Sequence, residues 1–197
     1  MKIFGRLVTA VAVLSVCLVG CGGDDNPSGG GGVFYESVKI GSQTWMKKNL
    51  NIETEDSWCY ENRADNCNRH GRLYTWESAK TVCPSGWRLP DIIEWRTLVA
   101  KSGGSSAAAG ALKSKNAWAS SSGISSTDAY GFSAMPGGYR GTNGSFGGTG
   151  LTGRWWTATE VTGGNACLFY MQYNRDNVDE SFDSKGFGLS VRCVKDE

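Results

Sequence analysis

Apolar and polar positions divide residues 71–101 into helix, stop, strand and helix, and the rest of the chain reads around that unit. Trp76, Ala79 and Cys83 fall at i, i+3 and i+7 and so share one helical face. Pro84 ends this helix, Ser85-Gly86 turns the chain, and 87–89 is a short strand. Asp91 stands three residues before Glu94, the spacing of a capping box, and Ile92, Trp95, Leu98 and Val99 form the buried stripe of a second helix. Upstream, 33–40 and 43–46 read as hairpin strands about Gly41-Ser42, a glycine-first two-residue turn of the II′ kind. Residues 49–69 are polar with little periodicity and read as a loop. Downstream, 105–115 holds a short alanine-rich helix that Gly110 weakens. Alternation in 154–160, 167–173 and 188–194 predicts three strands of an antiparallel sheet.

Residues 114–153 turn to Gly, Ser, Thr and Asn, broken by Trp118, Tyr130, Phe132, Tyr139 and Phe146. That is too aromatic for disorder and too rich in glycine for regular elements. It reads as a long ordered loop region with a short strand at 131–135, and such loops are frequent binding surfaces. The class is therefore α+β: two helices packed on small antiparallel sheets beside a long Gly/Ser-rich loop region.

The first residues follow a different pattern. Lys2 and Arg6 precede an apolar run, 7–20, that is shorter than the roughly 20 residues of a spanning helix. Leu18-Val19-Gly20-Cys21 resembles the bacterial lipobox, which implies a lipoprotein signal peptide over 1–20 and acylation of Cys21. A plain secretory signal with an ordinary thiol at Cys21 is the alternative. Two or three acyl chains anchor firmly where a single chain is marginal. Residues 21–32 are then lipid anchor and flexible linker, without an apolar side chain to pack beyond Cys21, and 33–197 is the domain. Asp24-Asp25 resembles the acidic surface-export signal of some bacterial lineages. The expected location is the cell envelope, anchored in the outer membrane with the domain at the surface.

At 197 residues the chain has room for one domain of ordinary size, with no internal repeat. Without residues 1–20 it keeps eighteen basic and nineteen acidic side chains, a near-neutral balance with no basic run to meet nucleic acid. Eight tryptophans against 28 glycines suggest a loop-rich fold that depends on a few large buried rings. Five cysteines follow Cys21, and in an exported protein they oxidise where geometry allows. Cys59 and Cys67 flank a short polar stretch, which favours a local bridge worth roughly 2–3 kcal/mol. Spacing alone leaves the other pairings open; Cys167, opening an apolar run, is the candidate free thiol.

Sites of catalysis or metal binding are hard to assemble from this inventory. His70 is the only histidine, three residues after Cys67, and a thiol–imidazole pair would need that cysteine reduced. Residues 148–153 spell G-x-G-x-x-G, but the successor reads as a strand, where a dinucleotide fingerprint opens a helix. Asp176, Asp179, Glu180 and Asp183 read as one solvated loop without the spacing of a calcium loop. No cofactor and no metal is expected. Aromatic side chains carry the remaining signal: Trp118, Tyr139, Phe146, Trp155 and Trp156 lie in or beside the loop region, and exposed rings would stack on sugars. The alternative is that they fill the core. Adjacent Trp155 and Trp156 in a strand point to opposite faces, so one of the two belongs to the core.

The motifs IGSQTWMKKNL, CY…NC, GRLYTWESAKTVCPSGWRLP followed by EW, GFSAMPGGYR, WWTATE and SVRCV, in that order over 38–196, resemble the Fibrobacter succinogenes major paralogous domain. That family is exported, commonly lipid-anchored and largely without an assigned role. The element order also resembles, more distantly, the C-type-lectin-like fold. In that fold the first-helix cysteine pairs with the terminal-strand cysteine, which implies Cys83–Cys193, a long closed loop worth about 4–5 kcal/mol. GGYR, WWTATE and SVRCV resemble the formylglycine-generating-enzyme branch of the same fold. The Glu-Pro-Asn or Gln-Pro-Asp and Trp-Asn-Asp tripeptides of calcium-dependent lectins are missing, and the catalytic cysteine pair of the oxidase branch does not carry over. The expectation is a non-enzymatic surface lipoprotein that binds a glycan or an envelope protein. A structural or assembly component of the envelope is the alternative, and an oxidase-like enzyme a third reading.

Overall fold

Gly41, at φ 63°, takes the first position of a two-residue turn and joins β1 (Ser37–Ile40) to β2 (Gln43–Met46), with Ile40 opposite Gln43. This is seen in a computed structural model that describes Met1 and residues 34–196. The expectations for the leader, for acylation of Cys21 and for the linker fall outside the described residues. No helix among the described residues is long and apolar enough to cross a membrane.

Where 49–69 reads as a loop, the chain instead forms β3 (Ser57–Trp58), a 3₁₀ turn (Tyr60–Asn62) and α1 (Ala64–His70). Only Cys67 of α1 is buried, so no apolar stripe announces this helix. The Cys59–Cys67 disulfide fastens it instead. The organising unit follows: β4 (Leu73–Tyr74), α2 (Trp76–Thr81), β5 (Trp87–Arg88) and α3 (Ile92–Lys101). Thr75 caps α2 by accepting from Ser78 N, and Trp76 and Ala79 are its buried residues. The helix stops before Cys83, which turns away to its partner Cys193. At α3 the capping box is complete: Asp91 Oδ1 accepts from Glu94 N at 2.8 Å and Glu94 Oε2 from Asp91 N at 2.9 Å. Trp95, Leu98 and Val99 are buried as the stripe requires, and α4 (Ala108–Leu112) is the short alanine-rich helix.

The loop region holds a two-stranded hairpin, β6 (Tyr139–Arg140) and β7 (Phe146–Gly147). The strand expected at 131–135 is reduced to one bridge between Lys113 and Ala134. Ser133 has φ 52°, which is not extended backbone, and Phe132 turns its ring into the core against Trp45 and Trp95. Three long strands then build the main sheet: β8 (Thr152–Val161), β9 (Asn165–Gln172) and β10 (Val178–Ser184). β10 corrects the reading of its acids as loop residues. Asp179, Glu180 and Asp183 sit on a strand, opposite Tyr170, Phe169 and Ala166.

The terminal strand read over 188–194 is split in two. β11 (Leu189–Ser190) joins the six-stranded sheet, order β10-β9-β8-β11-β4-β3, where it runs parallel to β8. β12 (Val194–Lys195) joins the other sheet, order β1-β2-β12-β5. Val191, Arg192 and Cys193 carry the chain from one sheet to the other, and Arg192 is wholly enclosed, at 0 % exposure. The observed class is a mixture of helices and mainly antiparallel sheets.

The main sheet is covered on both faces, and this decides the fate of Trp155 and Trp156. Trp155 packs with Trp45, Trp95, Phe132 and Phe169, and Trp156 with Tyr74, Trp76, Leu168 and Leu189. Both are 0 % exposed. Each indole N–H has a partner, Asn49 Oδ1 at 2.9 Å for Trp155 and Tyr74 O at 2.8 Å for Trp156. Neither ring has a free face, which corrects their place among the stacking candidates.

Candidate ligand-binding face

The hairpin β6–β7 is docked onto the main sheet at Gly188, and that contact builds the site. Arg140 N donates to Gly188 O at 2.9 Å and Gly188 N to Arg140 O at 2.8 Å. A Cβ at 188 would stand 3.0 Å from Arg140 Cβ and 3.4 Å from both Leu73 Cβ and Trp58 Cε3, so the approach depends on glycine. It brings the Arg140 guanidinium over the Trp58 ring, 4.0 Å from its centroid, and within 5.9 Å of the Phe146 centroid. Phe146 meets Tyr60 at 5.3 Å. Tyr139 lies over Gly147, where a Cβ would come to 2.9 Å of the phenol, and Arg154 stacks on it at 4.5 Å. Trp58, Tyr60, Tyr139 and Phe146 are all half-buried.

Beside Trp58 a depression of about 400 Å³ is lined by Glu53, Ser57, Asn62, Ala64 and Arg72. Arg72 is held on several sides. Arg72 Nε donates to Ser57 Oγ at 3.0 Å, its Nη2 to Glu53 Oε1 at 3.0 Å, and its Nη1 lies 3.6 and 3.8 Å from the sulfurs of Cys59 and Cys67. Glu61 and Asn62 stand at φ 53° and 55°, two left-handed residues in succession and neither a glycine. Such residues cost on the order of 1–3 kcal/mol each and persist where the surroundings over-determine them. Here the disulfide and Arg72 do so. The result is an aromatic surface beside a hollow where Arg72 is held by Ser57 and the exposed Glu53 and Asn62 add carboxylate and amide groups.

Of the five aromatics singled out from the sequence, Phe146 is brought to this face, while Tyr139, opposite Gly147, turns to the other side of the hairpin against Phe187 and Arg154. Trp118 is half-buried, and its Nε1 donates to Ala134 O at 2.9 Å, which ties it to the loop rather than to the face. Trp58, Tyr60 and Arg140 were not singled out. Only the flanking cysteines mark the first two, because a polar stretch hides a strand and a turn.

Asp183, Cys167 and His70, whose titration is shifted, lie away from this face, on β10, on β9 and at the end of α1. Burial pushes Asp183 above the usual carboxylate range, against the pull of Arg154 Nη1, which donates to its Oδ2 at 3.1 Å. Burial, then Glu180, raise the Cys167 thiol, which has no disulfide partner. Burial, then Arg69, lower His70. The other four cysteines of the described residues are paired as Cys59–Cys67 and Cys83–Cys193.

The family model described as the Fibrobacter succinogenes major domain matches residues 38–195. The chain belongs to that family. No curated protein and no solved structure matches it. In this Fibrobacter succinogenes major domain, no group of three or more His, Cys, Asp or Glu converges among the described residues. What the face offers is ring surface, fixed hydrogen-bond groups and a shallow hollow, a chemistry of recognition.

Proposed function

We propose that the protein is an exported, lipid-anchored binding module of C-type-lectin-like topology that recognises a carbohydrate of the envelope or its surroundings, without calcium and without catalysis. The observation that carries the reading is the pairing of half-buried rings Tyr60, Phe146 and Trp58 with the polar hollow of Glu53, Asn62 and Arg72. Sugar rings present apolar faces and hydroxyl edges, and this surface has a partner for each. The Cys83–Cys193 disulfide, joining the end of α2 to the terminal strands, supports the lectin-like topology.

The test is calorimetric titration of the full chain with neutral and acidic polysaccharides and with envelope extracts, each with and without a chelator. Tyr60→Ala and Phe146→Ala should each weaken binding by about 1 kcal/mol, roughly fivefold in Kd. Binding that vanishes on chelation, or a ligand recovered chemically changed, would overturn the proposal.

An assembly role is favoured by one separate observation. β10 is an open edge of the main sheet and carries Phe182, 60 % exposed. Self-association that Phe182→Lys abolishes, with no affinity for glycans, would favour it.

A further inference from the structure

On the other side of α1 lies a second cavity of about 520 Å³. It opens between the chain after β2, the end of α1 and the loop at 133–135. Lys47, Lys48 and Arg69 line it, against a single carboxylate, Glu36, which is already paired with Lys48 at 3.2 Å. Among the described residues neither Lys47 nor Arg69 has a carboxylate partner. Two polar atoms in its wall are enclosed and unpartnered, Ser114 Oγ and His70 Nδ1, and Ser114 is 9 % exposed. A buried hydroxyl with no partner costs roughly 1–3 kcal/mol unless something fills its bond.

Beneath the cavity stands a further positive charge. Arg192 donates to Asn49 Oδ1 from Nε and Nη2 at 3.1 and 2.8 Å, to Met46 O and Phe132 O from Nη1 at 3.0 and 2.5 Å, and to Ser133 O from Nη2 at 3.2 Å. Every hydrogen-bond acceptor is neutral; the carboxylate that acts on this charge is Asp128, which accepts from Ser133 N and Ser133 Oγ rather than from Arg192 itself. Asn49 and Ser133, which hold it, also line the cavity. The end of α1 brings carbonyls to the same wall, of which Cys67 O accepts from Gly71 N and His70 O from Asn49 Nδ2.

We infer that this cavity is a binding site for a phosphate group, held by Lys47, Lys48, Arg69 and Ser114 on a ligand distinct from that of the aromatic face. Three cations outnumber one carboxylate, which fits an anion of more than one charge. Donors come from several directions, and a tetrahedral anion with three or four terminal oxygens meets more of them than a planar carboxylate with two. Ser114 Oγ, covered in the wall, would reach the anion by rotating toward the cavity and then supply the short-range hydrogen bond that simple attraction to a basic surface lacks. The phosphate is a monoester, carried on a soluble molecule or on a lipid, and one experiment separates the two.

The full chain carrying Cys21→Ser, which removes the candidate acylation site, is titrated with glycerol 1-phosphate and with acetate at equal ionic strength. It is also floated with vesicles of phosphatidic acid in phosphatidylcholine and of phosphatidylcholine alone. Saturable binding of glycerol 1-phosphate assigns the soluble source, and flotation only with phosphatidic acid the lipid. In either case Lys47→Ala/Arg69→Ala should weaken binding about tenfold, and Ser114→Ala by a smaller factor with its melting temperature kept. Lys47 and Arg69 lie at the surface, so the double variant tests binding without threatening the fold. Tyr60→Ala should leave phosphate binding unchanged, so this site and the aromatic face fail or stand separately. No binding to either probe, acetate binding as well as phosphate, or an unchanged double variant would overturn the inference.

Discussion

Replacing Arg192 by methionine should destabilise the domain by about 3 kcal/mol, although the change removes a buried charge. The guanidinium spends all its N–H groups on Met46 O, Phe132 O, Ser133 O and Asn49 Oδ1. Asn49 Oδ1 keeps the Trp155 indole as donor, but the bonds to the three backbone carbonyls are lost. Each orphaned buried acceptor costs roughly 1–3 kcal/mol, a gross loss of about 3–9 kcal/mol. Relief of the guanidinium's desolvation, several kcal/mol for a buried ion, returns part of this, and about 3 kcal/mol is the balance expected. Arg192→Lys should lose a similar amount, since three rotatable donors on a point charge cannot reproduce the planar fork. Urea unfolding at pH 7, with the slope checked against the parent, measures both changes. If Arg192→Met falls within 1 kcal/mol of the parent at an unchanged slope, the bonds to the carbonyls are not holding the loop, and the reasoning is wrong.

Three further outcomes are expected. Peptide mapping without reductant should find Cys167 as a thiol and Cys59–Cys67 and Cys83–Cys193 as bridges; a bonded Cys167 would contradict this arrangement. Cys83→Ala/Cys193→Ala opens a loop with a sequence separation of 110 and should cost about 4–5 kcal/mol, read as a fall in the urea midpoint. Burial and Arg69 hold His70 below its ordinary value of 6.5, so as pH falls through 6.5 the unfolded chain gains a proton that the folded chain resists. Stability contributed by neutral His70 is therefore complete above that pH and is lost on acidification, and His70→Gln should flatten the slope of stability between pH 7 and 5.

What could be read from the sequence was what pays in apolar periodicity. α3 announces itself by Trp95, Leu98 and Val99 behind a capping box, and each of those residues is buried where the period puts it. α1 buries only Cys67 and is held by a disulfide, so its existence rests on covalent chemistry that periodicity does not register. β10 hid for a related reason. As an edge strand it needs only Val178 inside, and its outward acids look like a loop. Trp155 and Trp156 were misread because alternation assumes one wet face, and this sheet has none at that point. The proposed face divides along the same line: Phe146 stands out against a glycine-rich background, whereas Trp58 and Tyr60 lie in a stretch that reads as merely polar.

Arg192 and Lys113 explain how so irregular a region stays ordered enough to present a surface. A loop without ladder partners leaves carbonyls that water would otherwise have to satisfy, and burying them unpaired is costly. Lys113, also enclosed, donates from Nζ to Gln172 O at 2.7 Å and Arg175 O at 2.6 Å, while Lys113 N and Ser114 N bind Ala109 O and Ala134 O. Arg192 does the same for Met46, Phe132 and Ser133 from the crossover between the two sheets. Each cation therefore satisfies several irregular carbonyls at once, a task for which an apolar side chain has no group. Rings then fill the volume that remains, as Phe132 does against Trp45 and Trp95, with Arg192 stacked 4.5 Å from its centroid. With the interior of the loops fixed in this way, Gly188 and Gly147 are free to bring backbone and ring into close contact at the outer hairpin. The face at Trp58, Tyr60 and Phe146 is thus assembled without a ligand, so the recognition proposed for it would not carry the entropy cost of ordering a loop.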